Sequence, residues 1–348
     1  MQLREFQYQY PKELIAQHPL PEREASRMMV IDREKQSWQH RMFRDLPAFL
    51  RAGDVLVINN SKVFPARLLG QTAAGHPVEI LLTNRCQAPI GQFSERWQAL
   101  AKPMKRMKPE TILSFGTDLT AEVVCCNDGF LQIDLFGSDI SKQIAQLGLP
   151  PLPPYIRRKT KEDYLPDDRE RYQTIYATSV GSAAAPTAGL HFTESMLSQL
   201  SDKGIVVAPV TLHVSTDTFL PVRTANIQEH VMHGEKLEVS EAAATIINQA
   251  KKEKRRVIAV GTTSARVLES AWDGKKIAPG AKETRLFMVP GYQFNVVDAL
   301  LTNFHQPEST LLMLVSAFAG RDFILEAYQE AIRQQYRLFS FGDCMLIA

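Results

Sequence analysis

The chain has 348 residues, 45% hydrophobic and 22% charged, the composition of an ordinary soluble globular protein with a sizeable core. That length accommodates two domains, or one large domain carrying an insertion. A net charge of +2, from 40 basic and 38 acidic residues, neither demands nor excludes nucleic acid, so any basic surface must be local. The N-terminal MQLREFQYQYPKEL lacks the apolar core of a signal peptide, and the longest apolar run, Leu311 to Ala319, is too short to cross a bilayer. The expectation is a cytoplasmic protein with no membrane partner. Cys86, Cys125, Cys126 and Cys344 contain no C-x-x-C pair and read as reduced thiols.

In chain order, Met28 to Asp32 reads as a short strand and Phe43 to Leu50 as a short helix. Val55 to Ile58 is a buried strand ending in Asn59-Asn60, whose amides form turns by default and are also available to a ligand. From Lys62 to Pro150 the pattern changes. Short strand-like pieces follow one another: Val78 to Thr83, Trp97 to Ala101, Thr111 to Phe115, Leu119 to Cys126 and Phe130 to Phe136. Leu131, Ile133 and Leu135 alternate with Gln132 and Asp134, one dry face and one wet face, and Asn127-Asp128-Gly129 is a hairpin turn. Five or six antiparallel strands in so few residues predict a small barrel or sandwich. The stiff LPPLPP (149–154) leads out of it.

The α/β pattern then resumes. Glu194 to Lys203 is helical and stops at Gly204, and Ile205 to Val214 is a strand. Ser240 caps an amphipathic helix to Lys254, Arg256 to Val260 is a strand, and Ala265 to Trp272 is the next helix. Val296 to Leu301 is a buried strand, Thr302 to Glu308 a polar connection, and Ser309 or Thr310 the cap of a helix ended by Gly320. The predicted fold is an α/β main domain, residues 1–61 and 151–348, with an inserted antiparallel β-barrel, residues 62–150.

Four polar loops share one layout, at a strand end or before a helix: Gly181 to Thr193, His213 to Phe219, Gly261 to Arg266 and Thr302 to Thr310. Loops rich in Gly, Ser and Thr present backbone N–H groups to an anion or carboxylate. A decorated βα loop is common to every α/β protein, whereas four in one chain, three of them with a His, point to one shared site. His191, His213 and His305 are the candidate bases near neutral pH, although any one of them alone is more often a structural residue. His230 and His233 in HVMHGE stand three apart where a zinc-hydrolase helix needs four, so no metal site is expected. No dinucleotide fingerprint or P-loop is present. Lys102, Lys105, Arg106 and Lys108, and Arg157, Arg158, Lys159 and Lys161, are two basic patches flanking the hinge. They either form solvated faces or border a groove for phosphates.

Taken together, these loops closely resemble the S-adenosylmethionine:tRNA ribosyltransferase-isomerase family of the queuosine pathway. The resemblance is carried by SRMMV (26–30), GDVLVINN with VFPARL (53–68), PLPPYIRR (151–158), RERYQTIYA (169–177), APTAGLHFT (185–193) and VTLHV (210–214). It continues through HVMHGE (230–235), VGTTSARVLES (260–270), PGYQF (290–294), DALLTNFHQPESTLLMLVSAFAG (298–320) and YRLFSFGDCMLI (336–347). Three positions depart from the usual pattern: Ser61-Lys62 replaces Thr-Arg, Ser215-Thr216-Asp217 replaces Gly-Ala-Gly, and Gly234 replaces Ser. Lys62 offers a point charge where Arg would offer a fork.

The resemblance implies transfer of the ribosyl part of S-adenosylmethionine to 7-aminomethyl-7-deazaguanine at the wobble position of a tRNA anticodon. Isomerisation then gives epoxyqueuosine and releases adenine and methionine. It implies S-adenosylmethionine as a co-substrate with no tightly bound cofactor, a tRNA anticodon stem-loop as partner, and a monomer. The base is expected among His191, His213 and His305, with Glu235 and Glu308 next and Asp298 after them. Substrate contacts are expected from Asn60, Lys62, Arg67, Pro186, Thr187, Gly189, Gly261, Thr262, Thr263, Arg266, Thr302 and Asn303. Contacts to tRNA are expected from Lys102, Lys105, Arg106, Arg157 and Arg158. Phe192, Phe304 and Tyr292 are candidates to face the sulfonium or stack a base. A non-catalytic tRNA-binding protein would instead leave S-adenosylmethionine intact, and a methyltransferase would release S-adenosylhomocysteine.

Overall fold

The computed structural model describes residues 1–91, 94–127, 129–158, 160, 162–214, 222, 224–232 and 234–348. Asp128, Lys159, Lys161, His233 and the 215–219 part of the second polar loop lie outside the described residues. Nine strands form one mixed sheet in the order Gly280–Thr284, Glu235–Val239, Val206–Leu212, Val55–Asn59, Val257–Val260, Ala299–Asn303, Cys344–Ile347, Arg27–Asp32, Ser37–Met42. The four central ones, from Val206–Leu212 to Ala299–Asn303, run parallel.

Their sequences explain their place. Val55–Asn59, Val257–Val260 and Ala299–Asn303 are buried at every residue, as strands covered on both faces must be. Alternate side chains enter two separate cores. Val55, Val57, Val257, Ala259 and Leu300 face the helices Glu241–Lys252, Gly261–Ala271, Thr310–Ala319 and Arg321–Arg333. Leu56, Ile58, Ile258, Val260 and Leu301 pack opposite them with Phe43, Leu46, Met196 and Leu200. Ser240 and Ser309 cap their helices as expected, accepting from Ala243 N and Leu312 N at 3.2 Å each, and Thr193 caps another, accepting from Met196 N at 3.1 Å.

The second unit is a closed six-stranded antiparallel barrel in the cyclic order Phe130–Phe136, Ser94–Lys102, Pro77–Gly91, Arg67–Thr72, Ile112–Phe115, Leu119–Asn127. The inner face holds Leu68, Ile80, Leu82, Leu113, Val123, Leu131, Ile133 and Leu135. An α/β body with an antiparallel β-barrel is thus the fold, as expected.

Several expectations need correction. Arg67–Thr72 is a barrel strand that RLLGQT did not announce, because Gly70 interrupts its pattern. Gly70 is required there: a Cβ would sit 2.4 Å from the Ser114 carbonyl oxygen. Ile140–Leu147 is a helix capped by Asp139, and Ser37–Met42 is an edge strand. Asp134 is buried rather than wet, because Arg96 grips it with Nε at 2.6 Å and Nη2 at 2.8 Å. Thr302 and Asn303 belong to the strand, not the connection after it. Residues 261–266 are not a loop: the helix Gly261–Ala271 begins directly at the strand end, because Gly261 takes φ +87° and turns the chain in one residue.

Candidate active site

The four parallel strands deliver their carboxyl ends to one edge of the sheet. Cys344–Ile347 runs antiparallel to Ala299–Asn303, so the residues before it, Phe339 and Ser340, reach the same edge. There they enclose a cleft of about 660 Å³, lined by residues 185–188, Val214, 261–263, 302–306, Ser309, Leu311, Tyr155, Phe339 and Ser340. All four polar loops therefore contribute to one cleft, and Pro186, Thr187, Gly261, Thr262, Thr263, Thr302, Asn303 and His305 meet in it. The N-terminus of the helix Gly261–Ala271 opens into it with no side-chain cap at Val260, and the Thr263 hydroxyl is buried without a partner. Free N–H groups and a hydroxyl at a helix N-terminus suit a carboxylate.

His305 is the histidine of this cleft. Its backbone carbonyl accepts from Tyr8 Oη at 2.5 Å, its N–H donates to Tyr328 Oη at 3.0 Å, and its Nε2 lies 2.9 Å from Thr302 Oγ1. Burial pushes its pKa down to about 3, so the ring is neutral at neutral pH. His191 is buried elsewhere, against Phe43, with Nδ1 2.9 Å from Ser26 Oγ. Burial pushes it down to about 4, partly offset by the neighbouring Asn303 side chain, though Nε2 makes no well-formed hydrogen bond. His213 is half-buried and lines a second space, a groove of about 1280 Å³ between barrel and α/β body. Phe64, Trp97, Ile144, Glu235 and Lys236 also line it, and the His213 Nδ1 has no partner. Burial, then Lys236, lowers the His213 pKa. The three histidines thus occupy three places. His213 and Val214, adjacent in the chain, face the groove and the cleft respectively.

The remaining candidates divide. Glu235 and Arg266 form a buried ion pair that leaves Arg266 Nε and Nη2 unpartnered. Glu308, at φ +57°, is held by its backbone N–H to Phe6 O and does not line the cleft. Asp298 is at the opposite, amino edge of the sheet, where its carboxylate accepts from Val257 N at 2.8 Å and Lys251 Nζ at 3.3 Å, so it cannot reach the cleft. Asn60 braces the strand ends, accepting from Thr211 Oγ1 at 2.7 Å and donating to Thr178 Oγ1 at 3.2 Å. Lys62 is exposed. Arg67 ties the barrel to the hinge, donating to Leu152 O at 2.9 Å and approaching Glu79 at 3.4 Å. Gly189 is a packing requirement: a Cβ would meet Tyr176 Oη at 2.1 Å.

Lys102, Lys105, Arg106 and Arg157 are exposed, and none lines the groove. Arg158 is corrected: its guanidinium is buried and clamps Asp168, with Nε–Oδ2 at 2.8 Å and Nη2–Oδ1 at 3.1 Å, so it is no part of an exposed basic patch. Phe192 and Phe304 are core residues, although Phe304 also touches the cleft, and Tyr292 Oη donates to Glu269 at 3.2 Å. Sequence reasoning missed Tyr155, Phe339 and Ser340. Tyr155 Oη and Ser340 Oγ pair at 2.7 Å across the cleft wall from positions 185 residues apart. Arg85 and Lys236 are the basic residues that do line the groove.

A cleft at the carboxyl edge of parallel strands is the usual place for a ligand in an α/β enzyme, and here a groove beside the barrel adjoins it. From residue 3 to residue 347 the chain matches the family described as queuosine biosynthesis protein, and it belongs to that family. It is 50% identical over 349 residues to the S-adenosylmethionine:tRNA ribosyltransferase-isomerase of Carboxydothermus hydrogenoformans, and 48% over 350 residues to that of Syntrophotalea carbinolica. Both alignments span all of both chains. Among solved structures, the S-adenosylmethionine tRNA ribosyltransferase from Thermotoga maritima is 36% identical, with a TM-score of 0.56 over 99% of this chain and 100% of that one.

Proposed function

We propose that this chain is a transferase that moves the ribosyl group of S-adenosylmethionine onto tRNA and isomerises it. The acceptor is 7-aminomethyl-7-deazaguanine at the wobble position; the products are epoxyqueuosine-tRNA, adenine and methionine. The observation that carries the reading is the cleft itself, where the loops that mark the family meet at one sheet edge. S-adenosylmethionine is consumed as a co-substrate. The chain acts as a monomer on tRNA in the cytoplasm, with residues 1–61 and 151–348 as catalytic domain and 62–150 as the barrel domain.

The chemistry assigns roles to the two spaces. The sulfonium acidifies its neighbouring C5′ hydrogens, so a neutral base beside it can form an ylide, from which adenine is eliminated. His305 is neutral and lies in the cleft, so we give it that proton. The methionine carboxylate takes the free N–H groups at Gly261 to Thr263. The acceptor amine must lose its proton before it attacks. His213, in the groove and next in sequence to the cleft residue Val214, has a free Nδ1 for it. RNA enters along the groove, where Trp97 and Phe64 offer faces for an unstacked base.

The test mixes protein, S-adenosylmethionine and tRNA bearing the aminomethyl base, and resolves the small products by chromatography. Free adenine and methionine with a matching mass gain on the tRNA support the reading. S-adenosylhomocysteine would make the protein a methyltransferase, and RNA binding without turnover would make it a binding protein.

A further inference from the structure

Beside the central cleft lies a smaller, half-open cavity. Its wall brings together segments far apart in the chain: Arg23 and Ser26, Arg171, His191, and Ser340 with its neighbours. Ser340 also lines the central cleft, so the two spaces share a wall.

The cavity is rich in guanidinium groups that lack counter-charges. Arg23 donates to the Leu190 carbonyl at 2.8 Å and the Gln173 carbonyl at 3.1 Å. Arg171 donates to the Leu20 carbonyl at 2.5 Å, and its Nε is buried with no partner. Arg337, three residues before Ser340 and outside the cavity lining, donates to the His18 carbonyl and leaves Nη1 buried with no partner. Among the described residues none of the three forms an ion pair. Glu170 and Asp343 are the acids that act on them from further away, and both oxygens of Asp343 already accept backbone N–H groups, of Arg27 and Arg337, at 2.8 Å. Burial, then the Arg171 charge, lowers the Arg23 pKa; burial lowers that of Arg337. Pinning the carbonyls of residues 18–20 explains the donors in use. It does not explain two buried free donors or three half-buried cations without a matching anion.

We propose that this cavity binds a phosphate group of the RNA backbone through Arg23 and Arg171, with the charge of nearby Arg337 in support, and so seats the reacting nucleotide beside the central cleft. The proposal rests on the function proposed above. Forked guanidinium donors match the geometry of a phosphate, and an entering anion supplies the missing charge. The site lies apart from the exposed lysines of the barrel.

The first measurement uses inorganic phosphate as probe. The full-length protein is melted in phosphate and in chloride at matched ionic strength. The wild type should gain in Tm with phosphate, Arg171→Gln should lose most of that gain, and Arg171→Lys should keep part of it. Arg285→Gln, at an exposed pair with Glu283, should behave as wild type. If Arg171→Gln fails to fold, Arg23→Gln serves in its place. The second measurement follows binding of the anticodon stem-loop against salt. Loss of one phosphate contact should reduce the log–log slope by about 0.7 to 0.9 in the Gln variant. A lost phosphate response with an unchanged slope would mean that the cavity holds free phosphate and would overturn the RNA assignment. No phosphate-specific gain in the wild type would overturn the site altogether, even in a protein that releases adenine. A reduced slope in a protein that releases no adenine would keep the phosphate site and sink the function it serves.

Discussion

The α/β body and the barrel bury their strands in opposite ways. The central strands of the body are covered on both faces, so their side chains are committed to packing and chemistry is left to the strand ends. The barrel strands are dry inside and open outside, so their functional surface lies along their length, at Trp97, Arg85 and the groove. On the proposed function, the body's cleft is where the proton is moved and the barrel's outer wall is where the long substrate lies, so the cleft should be sensitive to single atoms and the wall tolerant of single losses.

The largest expected effect tests that contrast directly. His305→Ala should reduce adenine release by about 10²- to 10⁴-fold, the usual contribution of a positioned base. Trp97→Ala should chiefly raise KM for tRNA. Equal loss of kcat in both variants would break the division between cleft and groove. A buried ion pair of the body is next. Asp168→Ala leaves the buried Arg158 guanidinium unpaired and should cost about 3 to 5 kcal/mol in denaturant unfolding. A cost below 1 kcal/mol would show that water reaches the pair.

The pH response follows. The folded-state pKa of His191 is depressed from 6.5 to about 4, so the unfolded chain takes up that proton first. Stability should be full above pH 6.5 and fall as pH drops from there to about 4, by on the order of 3 kcal/mol. His191→Asn should remove that share of the slope and leave the share from His305 and His213, which burial also depresses, and an unchanged profile would rule out His191 as a source. The smallest effect lies on the barrel exterior. Lys105→Gln should weaken tRNA binding by about 1 kcal/mol or less, uniformly across sequences and less so at high salt. A loss as large as that of His305→Ala would move the critical chemistry onto the barrel.

Much of this was legible in the chain before any coordinates. Apolar runs such as VLVI (55–58) and ALL (299–301) announce strands covered on both faces, because only such a strand can omit polar alternation. Capping residues mark helix starts, since Ser240 and Ser309 each answer a local need for a hydrogen-bond acceptor. The resemblance carried by the loops names the family. These signals are local, or are patterns of residue type along the chain.

Tertiary structure alone decided which candidates meet. His191, His213 and His305 have the same chemistry and similar loop settings, yet the fold sends them to three different spaces. Arg158 and Arg157 are neighbours, yet one is spent on Asp168 and the other faces solvent. Tyr155 and Ser340 had no local mark because their pairing spans 185 residues, and the guanidinium groups of Arg23 and Arg171 at the second cavity likewise come from distant segments. Sequence carries periodicity and residue chemistry, but the distance between two side chains far apart in the chain is set by how the sheet orders its strands.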